Sequence, residues 1–99
     1  MNMTIKLDKE YDPKEVLVTL KAVFSEKADF AQYKVAYYKG ICENLEKKHK
    51  LTSVDFLKKF EAGDLGDDSE YFDWFAAKQG LDIWLNKLNI LTGVSISEN

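Results

Sequence analysis

The chain has no arginine: all fourteen of its basic residues are lysines, set against seventeen acids for a net charge of −3. Arginine makes the planar, bidentate contacts to guanine and phosphate that lysine, a point charge, does not make. Proteins dedicated to reading nucleic acid normally combine arginine with a basic face. The composition therefore argues against nucleic acid as the partner.

Chemically reactive residue types are scarce as well. The one cysteine, Cys42, excludes an internal disulfide and a cysteine-based zinc cluster, and the one histidine, His49, excludes the usual multi-histidine metal sites. The sequence also lacks a glycine-rich phosphate loop and the serine-elbow pattern of hydrolases. We therefore expect no enzyme, no cofactor and no metal, and we interpret Cys42 as a small buried side chain.

Long hydrophobic runs are missing too. No apolar stretch reaches the ~18 residues of a membrane span, and residues 1–6 lack the core of a signal peptide. These features predict a cytoplasmic protein that does not bind membranes. What the chain does have is 45% hydrophobic residues, 13% aromatic residues and a single proline. That composition opposes disorder and, over 99 residues, predicts one domain spanning residues 1–99.

Helix caps and apolar periodicity predict four helices. Each predicted start carries a capping residue, and Gly63 suits the left-handed position that follows a helix. The predicted caps are Asp12, Ser25, Thr52 and Asp67. The predicted connections between the helices are residues 24–27, 50–53 and 63–67.

Connections this short bring neighbouring helices together, so the sequence predicts an all-α, compact four-helix bundle. The last helix is predicted to be central because its apolar residues form a heptad seam with further apolar residues beside it. The seam residues are Trp74, Ala77, Leu81, Trp84, Leu88 and Leu91. Residues 1–10 and 92–99 are expected to be short extended or loosely ordered arms.

The second and fourth predicted helices are apolar on more than one side, and a domain this small has few other elements to cover them. We therefore expect a homo-oligomer, at least a dimer. Gly40 and Gly80 fall inside these helices next to large aromatic residues. Both glycines are predicted to be notches that allow a neighbouring helix to approach closely.

The strongest charge pattern is a run from Glu61 to Ala77 that holds six acids and no lysine. Local structure accounts for some of these acids, since Asp67 is predicted to cap a helix whose dipole also favours nearby carboxylates. The others, together with the neighbouring aromatic residues, are predicted to bind a basic protein, the acids by steering it and the aromatics by anchoring it. The predicted partner-binding residues are Asp64, Asp68, Tyr71, Phe72, Asp73 and Phe75.

Residues 51–91 also resemble a known class of protein. The shared pattern is Phe56-Leu57, Phe60-Glu61, Gly63-Asp64-Leu65-Gly66-Asp67-Asp68, Tyr71-Phe72, Trp74 and Ala76-Ala77. It is similar to small prokaryotic antitoxins that are encoded beside short toxins. The resemblance implies a binding protein that neutralises a small, ribonuclease-type toxin, and it names no contact residues.

Two other functions stay open at this point. The first is a homo-oligomeric structural protein without catalysis, whose apolar surface serves only self-association. The second is a divalent-metal-dependent enzyme that uses the carboxylates of residues 64–73, since hard cations take oxygen ligands. The spacing of these acids does not match the EF-hand loop.

Overall fold

The computed structural model describes residues 3–96, and within that range the chain forms helices only. The helices are α1 (Pro13–His49), α2 (Ser53–Glu61) and α3 (Ser69–Gly93). Residues 3–12 and 94–96 have no regular secondary structure, and no strand forms between residues 3 and 96. The prediction of an all-α chain is confirmed. The outer ends of the two predicted arms, residues 1–2 and 97–99, lie outside the described residues.

The helices build an elongated hairpin, and the prediction of a compact four-helix bundle is wrong. α1 and α3 run antiparallel: His49 meets Trp74 at one end, and Phe30 meets Trp84 further along. The molecule measures 59 × 25 × 18 Å, and its radius of gyration is 19.3 Å. A compact chain of this length would have a radius of gyration of about 13 Å.

The missing fourth helix is explained by the region around Ser25, where α1 continues without a break. Ser25 is a good capping residue, but the predicted connection at 24–27 contains neither glycine nor proline. Glutamate, lysine and alanine, which follow Ser25, all favour a helix. The apolar stripe also runs through this point in steps of three and four residues. It comprises Leu17, Leu20, Phe24, Ala28, Ala31 and Val35.

The remaining helix boundaries follow local signals in the sequence. Asp12 caps α1 by accepting a 3.0 Å hydrogen bond from the Lys14 amide, and Thr52 caps α2 by accepting one of 3.1 Å from the Asp55 amide. Gly63 has a positive φ of 75° just after α2, as predicted. The cap of α3 is Asp68 and not Asp67, because the Asp68 carboxylate accepts the Glu70 amide at 2.9 Å.

The two ends of the hairpin differ in what covers them. At the closed end, which we define as residues 42–77, α2 packs beside α3 and a buried core forms between the three helices. At the open end, residues 13–35 of α1 and 84–93 of α3, the two long helices have only each other and the arms. There, Ile5, Leu7 and Ile96 border a cleft of about 180 Å³ along the start of α1.

One further property of the helices concerns membranes. Among the described residues, no helix is both long and apolar enough to cross a bilayer.

Candidate functional site

The closed end is built around the indole ring of Trp74. Trp74 and Phe56 are fully buried and stack face to face, with ring centroids 4.0 Å apart and planes 5° from parallel. The indole N–H of Trp74 donates a 2.8 Å hydrogen bond to the buried hydroxyl of Ser53. Because a buried indole N–H needs a partner, Ser53 lets tryptophan occupy this position without an unsatisfied donor. The stack and this bond fix α2 against α3.

The turn between α1 and α2 is held by Glu46. Its backbone carbonyl accepts the Leu51 amide at 3.2 Å, and its carboxylate accepts the Ser53 amide at 2.8 Å. The chain turns at Lys50, which adopts a left-handed conformation with φ 51°. Since the first amides of a helix lack partners within it, the Glu46 carboxylate stabilises the start of α2. The angle between α1 and α2 is therefore set by one side chain.

A second contact joins the end of α1 to the start of α3. The Lys48 ammonium donates to both carboxylate oxygens of Glu70 at 2.9 Å, and this carboxylate raises the pKa of Lys48. The His49 Nε2 atom lies 3.5 Å from a Glu70 oxygen and makes no hydrogen bond, although it is buried. The His49 ring stacks on Trp74 with centroids 5.4 Å apart. Glu70 is therefore engaged within the fold.

These three residues were not identified from the sequence. His49 lies within the lysine-rich stretch 47–50, a position that is typical of a solvent-exposed helix end. The signal that could have found its partner is Glu70 at the start of the next long helix, since antiparallel helices bring such ends together. The spacing of residues along the sequence does not show which acidic side chain pairs with which basic side chain.

The predicted acidic residues surround the turn between α2 and α3, which we call the acidic turn (residues 61–73). Five of its six acids are exposed, the exception being Glu70. The exposed acids are Glu61, Asp64, Asp67, Asp68 and Asp73. Of the predicted partner-binding acids, the carboxylates of Asp64 and Asp73 make no hydrogen bond or ion pair within residues 3–96, whereas the Asp68 carboxylate caps α3.

The three predicted aromatic anchors have different surroundings. Tyr71 is half-buried between His49 and Phe56, with ring centroids 5.5 and 6.0 Å away. Phe75 is also half-buried and stacks on Phe60 at 5.0 Å. Phe72 meets Phe60 only edge-on and is 54% exposed. Phe72 therefore presents an aromatic surface to solvent, while the other two mainly support the core.

The exposed carboxylates do not come together as a metal centre. Between residues 3 and 96, no group of three or more histidine, cysteine, aspartate or glutamate side chains is placed to hold a metal ion. The acids of the turn project around a loop and a helix start, where they create a negative surface instead of a coordination cage.

Cys42 lies in the core of the closed end. It is 3% exposed, as predicted for a small buried side chain, and burial raises the pKa of its thiol. A protonated, inaccessible thiol is a poor nucleophile. The side chains of the closed end thus supply rigidity and negative charge, with no activated nucleophile at this position.

Compared with known proteins, this chain matches no protein family, no curated protein and no solved structure.

Proposed function

We propose that this protein is a non-catalytic, cytoplasmic interaction module that binds a basic protein partner through the acidic turn and Phe72. The observation that carries the proposal is the concentration of five exposed acids around one exposed aromatic ring, on a turn fixed by the core beneath it. Charged groups at the edge of an interface steer a partner of opposite sign, and aromatic groups near its centre supply most of the affinity.

The rigidity of the turn supports this proposal. Gly63 and the Asp68 cap set its two sides, and Leu65 in its middle packs on the core. A surface that is already in its binding conformation does not lose conformational entropy on association. The carboxylates of Asp64 and Asp73, which local structure does not use, then remain free to meet cationic side chains.

For the identity of the partner, we propose a small basic toxin. This step rests on the resemblance of residues 51–91 to prokaryotic antitoxins. Those residues comprise α2, the acidic turn and most of α3. The most distinctive part of the resemblance, the glycine and acid pattern from Gly63 to Asp68, is the acidic turn itself.

The electrostatic part is tested with Asp64→Asn combined with Asp73→Asn, using as the binding partner any small basic protein found to be encoded beside this one. We expect slower association at low salt, and convergence with wild type as salt rises, because charges are screened beyond about 10 Å at 0.1 M. Glu15→Gln with Asp29→Asn changes net charge equally at the open end and should leave the rate unchanged. Equal association rates for both double variants at low salt would refute steering by the acidic turn.

The aromatic part is tested by Phe72→Ala, with Val54→Ala as the control. The two side chains are equally exposed, at 54% and 55%, but Val54 lies at the start of α2, outside the acidic turn. We expect Phe72→Ala to raise the dissociation rate by at least about tenfold, the cost of losing an aromatic anchor. Equal dissociation rates for the two variants would remove Phe72 from the interface.

A further inference from the structure

Both long helices carry a second apolar stripe, separate from the seam that joins them. On α1 the stripe advances by seven residues at each step, through Val16, Val23, Phe30 and Tyr37. On α3 it does the same, through Ala76, Ile83 and Ile90. Apolar residues at heptad spacing form the seam between helices that wrap around each other. Much of these stripes is open to solvent: Phe30 is 44% exposed and Ile83 is 51% exposed.

The two stripes lie on the same side of the hairpin. Phe30 contacts Trp84 edge-on with centroids 5.2 Å apart, and the Tyr38 ring covers Gly80. Gly80 is four residues after Ala76 and three before Ile83, so it shares their side of α3. We call this surface the open face and define it by Val23, Phe30, Tyr37, Ile83 and Ile90.

α2 does not cover the open face. It meets α3 through Phe60, which stacks on Phe75. The five residues that define the open face remain 44–56% exposed, so no part of α2 lies over them. Phe72 of the acidic turn lies on the same side of α3 but eleven residues, or about 16 Å, before Ile83, so a partner limited to the open face leaves the acidic turn exposed.

The surface area of the chain matches that of one half of a dimer. Its accessible surface is 7847 Å². A compact monomer of 11.4 kDa exposes about 5,800 Å², which leaves a surplus of about 2,000 Å². The elongated shape and the extended arms contribute to this surplus together with the open face. A stable interface buries about 800 Å² on each partner, and permanent homodimers bury more.

The charges around the open face select the kind of partner. Lys27 and Lys34 lie over the Phe30 ring at 5.9 and 5.6 Å, and Lys87 lies over Trp84 at 5.7 Å. These lysines disfavour a basic protein on the open face, unlike the acidic turn. Glu26 lies on the same side, between Val23 and Phe30 in helical register. The surface therefore carries both signs, as a self-complementary interface requires.

We propose that a second copy of this chain packs its own open face here, so that two hairpins complete a four-helix bundle. In a two-fold interface, each contact between two different residues occurs twice, the second time with the roles of the two copies exchanged. Val23, Phe30 and Tyr37 then fill the seam between the hairpins, and the lysines pair with acids of the partner at its edges.

Sedimentation equilibrium of the wild-type chain at micromolar concentration tests the assembly. We expect a mass of twice 11.4 kDa. A clean one-chain mass across that range would overturn the proposal, and this measurement does not depend on whether any variant folds. A larger assembly would overturn it too, because two copies complete the bundle.

The location of the interface is tested by Val23→Glu, with Val18→Glu as its matched control. Both valines are exposed on α1, at 44% and 68%, but Val18 projects away from the open face. A charge buried in the interface should raise the dimer dissociation constant about 100-fold. Val23→Thr, which keeps the side-chain shape, should weaken the dimer in the same direction. Dissociation constants that are the same for Val23→Glu, Val18→Glu and wild type would place the interface elsewhere.

Discussion

At the closed end of the hairpin three helices share a core, whereas at the open end two helices meet along one seam. The tryptophans of α3 show the result. Trp74 is fully buried because α2 and His49 cover both faces of its ring, while Trp84 remains half-buried beside an exposed Phe30. A pair of helices buries one stripe on each member, and a third element is needed to close the space around large side chains.

The sharpest test of this difference is Trp74→Ala beside Trp84→Ala. Removing the buried ring of Trp74 leaves a cavity and leaves the Ser53 hydroxyl without its hydrogen-bond partner. We therefore expect a loss of about 4 kcal/mol in the free energy of unfolding. Trp84→Ala should cost about half as much, because part of its ring is already in water. Urea unfolding followed by circular dichroism measures both. Equal losses would mean that the two ends are stabilised alike.

The two mid-helix glycines extend the comparison to the middle of the hairpin, between its closed and open ends. A Cβ added at Gly80 would lie 2.7 Å from the Tyr38 ring, whereas one added at Gly40 would meet nothing within 4 Å. Gly80→Ala should therefore destabilise the chain by about 1–2 kcal/mol through overpacking. Gly40→Ala should stabilise it by about 1 kcal/mol, the usual gain of alanine over glycine within a helix.

The predicted notch at Gly80 agrees with this geometry, and the one at Gly40 is wrong because no other element approaches that glycine. Thermal unfolding of the two alanine variants provides the measurement. A rise in melting temperature for Gly80→Ala would show that the Tyr38 ring moves aside at no cost, and that the two helices are not tightly joined there.

The smallest effect concerns alkaline pH and is confined to the closed end. Burial raises the pKa of Cys42 above its ordinary value of 9.0. Above pH 9 the thiol of the unfolded chain loses its proton more readily than the thiol of the folded chain does. The free energy of unfolding is therefore highest below pH 9 and falls as the pH rises above 9. Cys42→Ala should remove that slope from the stability profile. A wild-type profile that stays flat well above pH 9 would contradict the shift.

The sequence predicted those features of the fold that depend on neighbours in the chain. The predicted roles of Asp12, Thr52 and Gly63 at the helix ends are confirmed, because a helix cap or a positive φ depends on only a few neighbouring residues. Ser25 shows the limit of such reasoning. Its capping signal was genuine, but the apolar stripe of α1 continued past it, and packing against α3 favoured one long helix over two short ones.

The candidate site was predictable in charge but not in contacts. Five of the six acids of residues 61–73 are exposed, as their density suggested, yet Asp68 and not Asp67 caps α3. Tyr71 and Phe75 were predicted to anchor a partner, and the structure packs them against Phe56 and Phe60. An aromatic residue next to an acidic stretch has the same sequence pattern whether its side chain lies at the surface or in the core. The placement of α2 decides between these two positions.

The antiparallel arrangement of α1 and α3 has a consequence for the order of folding. The contact between His49 and Tyr71 joins residues 22 positions apart, whereas that between Phe30 and Trp84 joins residues 54 positions apart. Closing a longer loop costs more entropy, and contacts between distant residues form more slowly. We expect the chain to nucleate around α2 and then to zip toward its termini, each helical turn shortening the loop that the next contact must close.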